Sequence, residues 1–532
     1  MNKMKWLLLA ANVVLVVLLA GACGEIIVAE TGEDADDIAG TTFDRTIAIS
    51  FGGDQASVSG DAKGIVSVNG NYVTANNTTD EVIAYELSGS AAEGSFKLYS
   101  SRKQAIRLKQ LDLTNPNGAA INNQSKKRTF VVVEGTNSLA DGKKYAKTEG
   151  EDEKAAFFSE GQLVFSGTGA LTVKARGKAG ISSDDYIRFM ESPTVKVSSS
   201  AGHAVSGKDA IIVSGGKLDV TATADTKKGF SSDSLVRFDG GVTTITVTGS
   251  AEYDKKDDKT TGTAGIKADK LFEMLAGELV IRNSGTGGKG ISCDGPGEFK
   301  GGTVTVTTTG ANFGSSNDTP AKGIKFDGDL SFSGAMVSVT SLAHEGISSK
   351  GTIDISGGVL FVQASDDAIN SHGDLTINGG YVCAWSSGND GIDANGNLYV
   401  KGGLVYAIGT HAPEVALDSD TDEGKRLYIQ GGTVIAIGGL ERDAHLSQNC
   451  YSASWSADTW YELTAGLSSF AFKTPPSGGD TLVVSGASPV SLKSGVSVSS
   501  GTQLFNGLVV KDASISGGTS VNLSNYSTLT GF

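Results

Sequence analysis

Residues 345–393 read EGISSKGTIDISGGVLFVQASDDAINSHGDLTINGGYVCAWSSGNDGID. Within them Glu345 precedes Gly346-Ile347-Ser348, Asp366-Asp367 precede Ala368-Ile369-Asn370, and Asn389-Asp390 precede Gly391-Ile392-Asp393. The step returns after 22 and then 23 residues. A Gly-Gly pair returns in phase with it, at Gly357-Gly358 and Gly379-Gly380, each followed by an alternating apolar strand such as that of Val382 and Ala384. A fixed period of about 20 to 50 residues marks a solenoid, a propeller or an array. One unit here holds short β-rich pieces between Gly turns and no helical periodicity, which predicts a parallel β-helix. A propeller blade needs about 40 residues and fits less well.

The same step extends toward the N-terminus, through Lys322-Gly323-Ile324, Lys289-Gly290-Ile291, Ala264-Gly265-Ile266, Lys228-Gly229-Phe230, His203-Ala204-Val205 and Ala179-Gly180-Ile181, to Gly118-Ala119-Ala120-Ile121. Residues 46–100 read as a β-rich lead-in, and 46–440 as one repeat domain. Three polar insertions, Ala251 to Thr263, Gly310 to Pro320 and Leu417 to Lys425, are expected in one slot, after the Gly-Gly strand and before the next Gly-Ile step. Such insertions crowd one side of a solenoid. From Glu441 the repeat fades, and 441–532, with Trp455, Trp460 and Tyr461, is expected to form a β-rich cap or module, because an open solenoid end must be covered.

Composition agrees with this reading. The chain has 532 residues, more than one compact core usually organises. Glycine is abundant (72) and proline scarce (8), as suits many short strands joined by tight turns. A formal charge of -15 argues against nucleic acid and against an anionic membrane surface as partners, and leaves a cation compatible.

The N-terminus carries Lys3 and Lys5, an apolar run from Trp6 to Ala20, and then Gly21-Ala22-Cys23. This reads as an export signal over residues 1–22, resembling a bacterial lipoprotein signal with Cys23 as the lipidated residue, followed by an acidic tether over 23–45. The expected location is therefore the cell envelope or surface, with the lipid as the sole membrane contact. Cys293, Cys383 and Cys450 show no disulfide or zinc spacing and read as packing residues.

In a parallel β-helix, equivalent residues of successive rungs stack about 4.8 Å apart. Glu345, Asp367 and Asp390 would share one slot, and Ser348, Asn370 and Asp393 another. Unit charges at that spacing repel by about 3.5 kcal/mol at an effective dielectric near 20. Ca–O distances of about 2.3–2.6 Å let an ion bridge two such rungs, and hard oxygen donors without His or Cys favour calcium. The expected ligands are Asp367, Asp390 and Asp393, with Glu345, Asp366, Asn370 and Asn389 beside them. Asp184, Asp233, Asp269, Asp294 and Asp327 occupy a further row read as turn chemistry. Phe361, Cys383, Tyr406 and Ile435 form an outward stripe, with Trp385 pointing the same way. Phe361, Tyr406 and Trp385 are candidate sugar-stacking residues, and the competing expectation is that the C-terminal region covers the stripe.

The order of Leu111-Asp112-Leu113-Thr114-Asn115 before Gly118-Ala119-Ala120-Ile121, the Gly135-Thr136-Asn137 segment, and the repeated Lys-Gly-Ile and Gly-Gly steps resemble bacterial carbohydrate-binding-domain proteins with a pectate-lyase-like, right-handed parallel β-helix. The resemblance covers about residues 46–440. It implies calcium and the binding of cellulose or pectic polygalacturonate without turnover, so no catalytic residue is assigned. Two alternatives stay open: a calcium-dependent lyase with Lys350 or Lys401 as a nearby base, and an adhesin or stalk in which calcium serves stability alone.

Overall fold

The computed structural model describes residues 35–314 and 319–527. These are almost wholly β: among them, helical geometry is confined to two short turns, Thr421–Glu423 and Phe505–Gly507. No helix among the described residues is long and apolar enough to cross a membrane. Cys23 and the export signal lie outside the described residues.

The chain winds as a β-solenoid. One face is a sheet of fourteen strands running from Val66–Asn69 to Ile392–Ala394. The remaining faces belong to one larger sheet, because long strands such as Leu235–Val247 pair in parallel with both Ala210–Val213 and Lys217–Ala222 of the preceding turn. Register is set by like residues: Ile347, Ile369 and Ile392 stack directly, as do Val337, Leu360, Val382, Val405 and Val434. All of these are buried in one continuous core. Burying them supplies the driving force, at about 25 cal/mol per Å² of apolar surface. Aromatic rings stack in the same way, with the centroids of Phe299 and Phe332 4.8 Å apart.

The glycine of the Gly-Ile step has a steric cause. A β-carbon at Gly180, Gly229, Gly265, Gly290, Gly323 or Gly346 would lie 2.2–2.3 Å from a γ-carbon of the facing Val197, Ile245, Ile281, Val306, Val339 or Val362. The corner is tight in these turns, although Ala204, sixteen residues before Val220, places a methyl in the same slot. At Ala368 the residue sixteen positions on is Ala384, so a methyl on each side replaces a hydrogen and a valine. The Gly-Gly steps have a different cause: their second residues, among them Gly216, Gly302, Gly358 and Gly432, hold φ between 75° and 82°, the left-handed region that favours glycine.

The lead-in expected over residues 46–100 is already solenoid. Arg45–Phe51 pairs in parallel with Ile83–Ala91, and Tyr72–Asn77 with Ser95–Ser100. Two antiparallel strands, Ser57–Ser59 and Val66–Asn69, close that end. At the other end parallel stacking continues to His445–Leu446, after which Leu482–Ser485 pairs antiparallel to Thr433–Ile437 and ends it. Six antiparallel strands between Trp460–Ala465 and Ile515–Ser520 then form a separate sheet.

Two of the insertions stand where expected, the hairpin of Glu252–Asp254 with Lys259–Thr261 and the segment bridged by Phe313 and Thr319. The third is corrected. Leu417 is fully buried and bridges Ile392 and Leu440 in parallel, so Ala416-Leu417 is itself a step of the repeat and the insertion begins beyond it. Leucine fills the inward slot as well as isoleucine does.

The Gly346→Ala substitution is expected to destabilise the protein by about 1–3 kcal/mol through overpacking against Val362. The double change Gly346→Ala/Val362→Ala, copying the Ala368 and Ala384 pair, should recover part of that loss; equal losses in single and double variants, measured by chemical denaturation, would contradict the steric account.

Candidate functional site

Strand pairing places Ser348, Asn370 and Asp393 in one row, and backbone hydrogen bonds from Gly346 N–H to the Asp367 carbonyl and from Ala368 N–H to the Asp390 carbonyl (both 3.1 Å) align Glu345, Asp367 and Asp390 in another. The expected stacking is present. What each side chain does within it divides the predicted ligands into two sets.

Glu345, Asp366 and Asn389 are held by neighbours. Lys322 Nζ lies 2.7 Å from Glu345 Oε1 and His344 Nδ1 contacts Glu345 Oε2. Asp366 accepts from Asn389 Nδ2 at 3.0 Å and faces His344 Nδ1 at 3.0 Å. His344, Glu345 and Asp366 do converge closely enough to hold an ion, but Lys322 already supplies a positive charge. Glu345, Asp366 and Asn389, expected beside the principal ligands, are thus engaged by these neighbours.

Asp367, Asn370, Asp390 and Asp393 form the second set. Asn370 Nδ2 sits between two carboxylates, 3.1 Å from Asp367 Oδ2 and 2.6 Å from Asp393 Oδ2. Asp367 Oδ1 accepts the Asp390 N–H at 3.2 Å, and Asp390 Oδ1 accepts the Val415 N–H at 2.5 Å. The row continues past the predicted residues. Asp418 N–H donates to the Ile392 carbonyl (2.8 Å) and Glu441 N–H to the Leu417 carbonyl (3.0 Å), which stacks Asp393, Asp418 and Glu441. Asp418 and Glu441 were missed because each follows a leucine. The repeat spacing carries the missed signal, since Leu417 falls 25 residues after Ile392 and Leu440 another 23 on.

Among the described residues no Lys, Arg or His pairs with Asp367, Asp390, Asp393 or Asp418, and Asp367 and Asp390 are each only 6% exposed. Burial, with the Asp393 and Asp366 carboxylates next, raises Asp367 to about 7. Burial, reinforced by Asp367 and Glu414, raises Asp390 to about 8 against the pull of the Val415 N–H. Asp393 is raised to about 6, again by burial first. Asp418 is raised by burial and by its hydrogen bond with Glu441. The donor chemistry fits a hard cation: buried oxygens, several formal charges and no protein counter-charge. A bound cation would compensate the cost that these groups otherwise avoid by keeping protons.

The further row, Asp184 to Asp327, is corrected in its partners. Asp184 holds Lys154, Asp269 and Asp294 share Lys267, and Asp327 holds Lys325 and Lys350. These carboxylates serve lysines and not turn amides.

The aromatic stripe is covered. Tyr406 is fully buried and donates its hydroxyl to the Lys473 carbonyl at 2.8 Å; Phe361 is 6% exposed and packs near Phe505. Both belong to a cluster with Tyr461, Phe472 and Val509 of the C-terminal sheet. This corrects their assignment as sugar-stacking residues, since neither ring has a free face. Trp385 is half-buried against the edge of the same cluster. A different aromatic row lies outside it: Tyr399, Tyr428 and His445 stack at 4.8 and 5.0 Å, so their faces meet one another and their edges face outward.

The family described as carbohydrate-binding domain-containing protein matches residues 69–233 and 315–458, more than half of the chain. No curated protein matches it. Among solved structures, a polysaccharide lyase-like protein from C. thermocellum, solved as a gadolinium derivative, aligns at 22% identity and a TM-score of 0.39, covering 47% of this chain and 95% of that one.

Carboxyl groups held above their ordinary value bind more protons folded than unfolded between about pH 4 and pH 8. Their stabilising contribution is therefore full below that window and is lost as pH rises through it. Without divalent cations the melting temperature should fall by several degrees across the window, and calcium should restore it more at pH 8 than at pH 5. The Asp367→Asn/Asp390→Asn/Asp393→Asn variant should show neither effect, and an unchanged calcium response in that variant would remove these residues from the site.

Proposed function

Because the chain belongs to the carbohydrate-binding domain family, we propose that it is a polysaccharide-binding protein of the cell envelope, specific for acidic (pectic) or cellulosic polymers, dependent on calcium and without turnover. One observation carries the calcium part: among the stacked carboxylates Asp367 and Asp390 are buried, Asp393 and Asp418 half-buried, and no Lys, Arg or His pairs with any of them among the described residues. In this reading Asp367, Asp390, Asp393 and Asp418 would hold the ion, and Asn370, whose amide nitrogen bridges Asp367 and Asp393, would position two of these carboxylates. The ion supplies positive charge to which a carboxylate of the polymer binds, while the side chains orient it and exclude water. The lipid anchor rests on the sequence around Cys23.

Binding without turnover is favoured over lyase chemistry by the state of the two nearby bases. Lys350 Nζ is paired with Asp327 at 3.1 Å, and Lys401 Nζ lies over the Tyr399 ring, 4.9 Å from its centroid. A base for abstracting a proton next to a carboxylate must reach its substrate within hydrogen-bond distance, directly or through one water. Both lysines are engaged elsewhere.

Purified protein is expected to be retained on polygalacturonate or cellulose, with retention of the acidic polymer lost on chelation. Incubation with polygalacturonate and calcium should generate no unsaturated product by ultraviolet absorbance. Sustained product formation would establish a lyase instead, and absence of retention on any polymer, with or without calcium, would favour the adhesin or stalk.

A further inference from the structure

The slot two residues before the inward apolar residue changes sign along the solenoid. Read upward through consecutive steps it holds His203, Lys228, Ala264, Lys289 and Lys322, then Glu345, Asp367 and Asp390. The signs meet in the Lys322–Glu345 pair at 2.7 Å. Below that junction, the lysines differ in what they touch. Lys154, Lys267, Lys322, Lys325 and Lys350 each sit on at least one carboxylate. Lys228 and Lys289 do not. Lys228 Nζ donates to the Thr226 carbonyl at 2.7 Å, and Lys289 Nζ makes neither an ion pair nor a hydrogen bond among the described residues.

Register sets these two apart from a random surface pair. Lys228 pairs with Ala264 and Ala264 with Lys289, so the two ammonium groups rise from the same slot two rungs apart, about 10 Å along the axis, with a methyl group between them. The small residue, itself only 2% exposed, lies at the floor of a narrow notch between the two half-buried cationic stems. The hairpin insertion borders it: a β-carbon at Gly262, at the hairpin's foot, would lie 3.7 Å from Lys289 Nζ. Lys227, Lys267 and Lys259 add positive charge around Lys228, and Lys325 and Lys322 around Lys289; Asp269 and Asp327 are the opposing carboxylates. Burial first and these neighbouring ammonium groups next push both lysines down to about 8. Such a concentration of unpaired positive charge is costly on its own, and unusual in a chain whose formal charge is -15.

Building on the reading that the ligand is an acidic polysaccharide, we propose that the Lys228–Ala264–Lys289 notch is a second, calcium-independent seat for a carboxylate of that polymer. The solenoid then offers a polyanion two unlike contacts on one face, ammonium groups directly at one end and carboxylates through a cation at the other. Charge-assisted hydrogen bonds from ammonium to carboxylate are the strong kind, and the notch is already partly dehydrated. A neutral glucan gains nothing from it.

The test is calorimetric titration of the full chain with oligogalacturonate and, separately, with a cello-oligosaccharide, each in calcium and in chelator. Weak binding of oligogalacturonate should survive chelation. In chelator it should weaken about ten-fold in Lys228→Gln/Lys289→Gln, equivalent to about 1.4 kcal/mol, with any affinity for the neutral oligomer unchanged. Lys154→Gln, which alters a lysine already held by Asp184, should have no such effect. Lys289→Arg, which keeps the charge, should retain binding and so separates loss of charge from loss of fold, with melting temperature as the control. If the wild type binds oligogalacturonate in calcium but chelation abolishes binding, or the double variant matches the wild type, the notch is overturned and the polysaccharide reading stands. If the wild type binds neither oligomer in calcium, the polysaccharide reading fails and the notch with it.

Discussion

The rest of the structure depends on the ladder of parallel backbone hydrogen bonds that holds successive turns about 4.8 Å apart. Once that spacing is set, any residue type repeated in a slot becomes a continuous row. Inside the solenoid the rows are apolar and cohesive, as with Ile347, Ile369 and Ile392. The corner slot admits glycine because the facing valine or isoleucine takes the remaining volume, and alanine at Ala368 is matched by the small Ala384. Outside, the same spacing forces like charges close together.

The protein resolves that crowding differently along its length. In the N-terminal part of the stack, Lys267 lies between Asp269 and Asp294, and Lys325 and Lys350 share Asp327, so each row is neutralised by its neighbour. At Lys322 and Glu345 the two signs meet within one slot. Beyond it, Asp367, Asp390, Asp393 and Asp418 have no such neighbour among the described residues, and burial raises all four carboxyl groups above their ordinary value. Most of these charges pair internally, and the four carboxylates stay uncompensated among the described residues.

The C-terminal sheet removes one candidate surface. Its Tyr461, Phe472 and Val509 cover Phe361 and Tyr406, turning an outward apolar stripe into a second core. What stays accessible on the solenoid is therefore chiefly polar and charged, together with the edges of Tyr399, Tyr428 and His445. The proposed recognition of a polymer by this surface therefore rests more on charge than on flat ring faces.

The periodicity of Gly-Ile and Gly-Gly steps was sufficient to read the solenoid, its register and the stacking of Asp367 with Asp390 and of Asn370 with Asp393, because a repeat sequence repeats its own local geometry. It was also sufficient to give the covered stripe as one of two readings. It did not show that residues 46–100 were already wound, because Lys63-Gly64-Ile65 is the sole such step in that stretch and has no in-phase successor within it, nor that Leu417 and Leu440 continue the row to Asp418 and Glu441. Only the tertiary structure decided which charges are spent: whether Glu345 is free depends on Lys322 one rung away, and whether Tyr406 meets solvent depends on Lys473 and its sheet, 67 residues on. Local repetition determines where a side chain stands, whereas its partner comes from another rung or from a segment outside the repeat, and that is set only when the chain closes on itself.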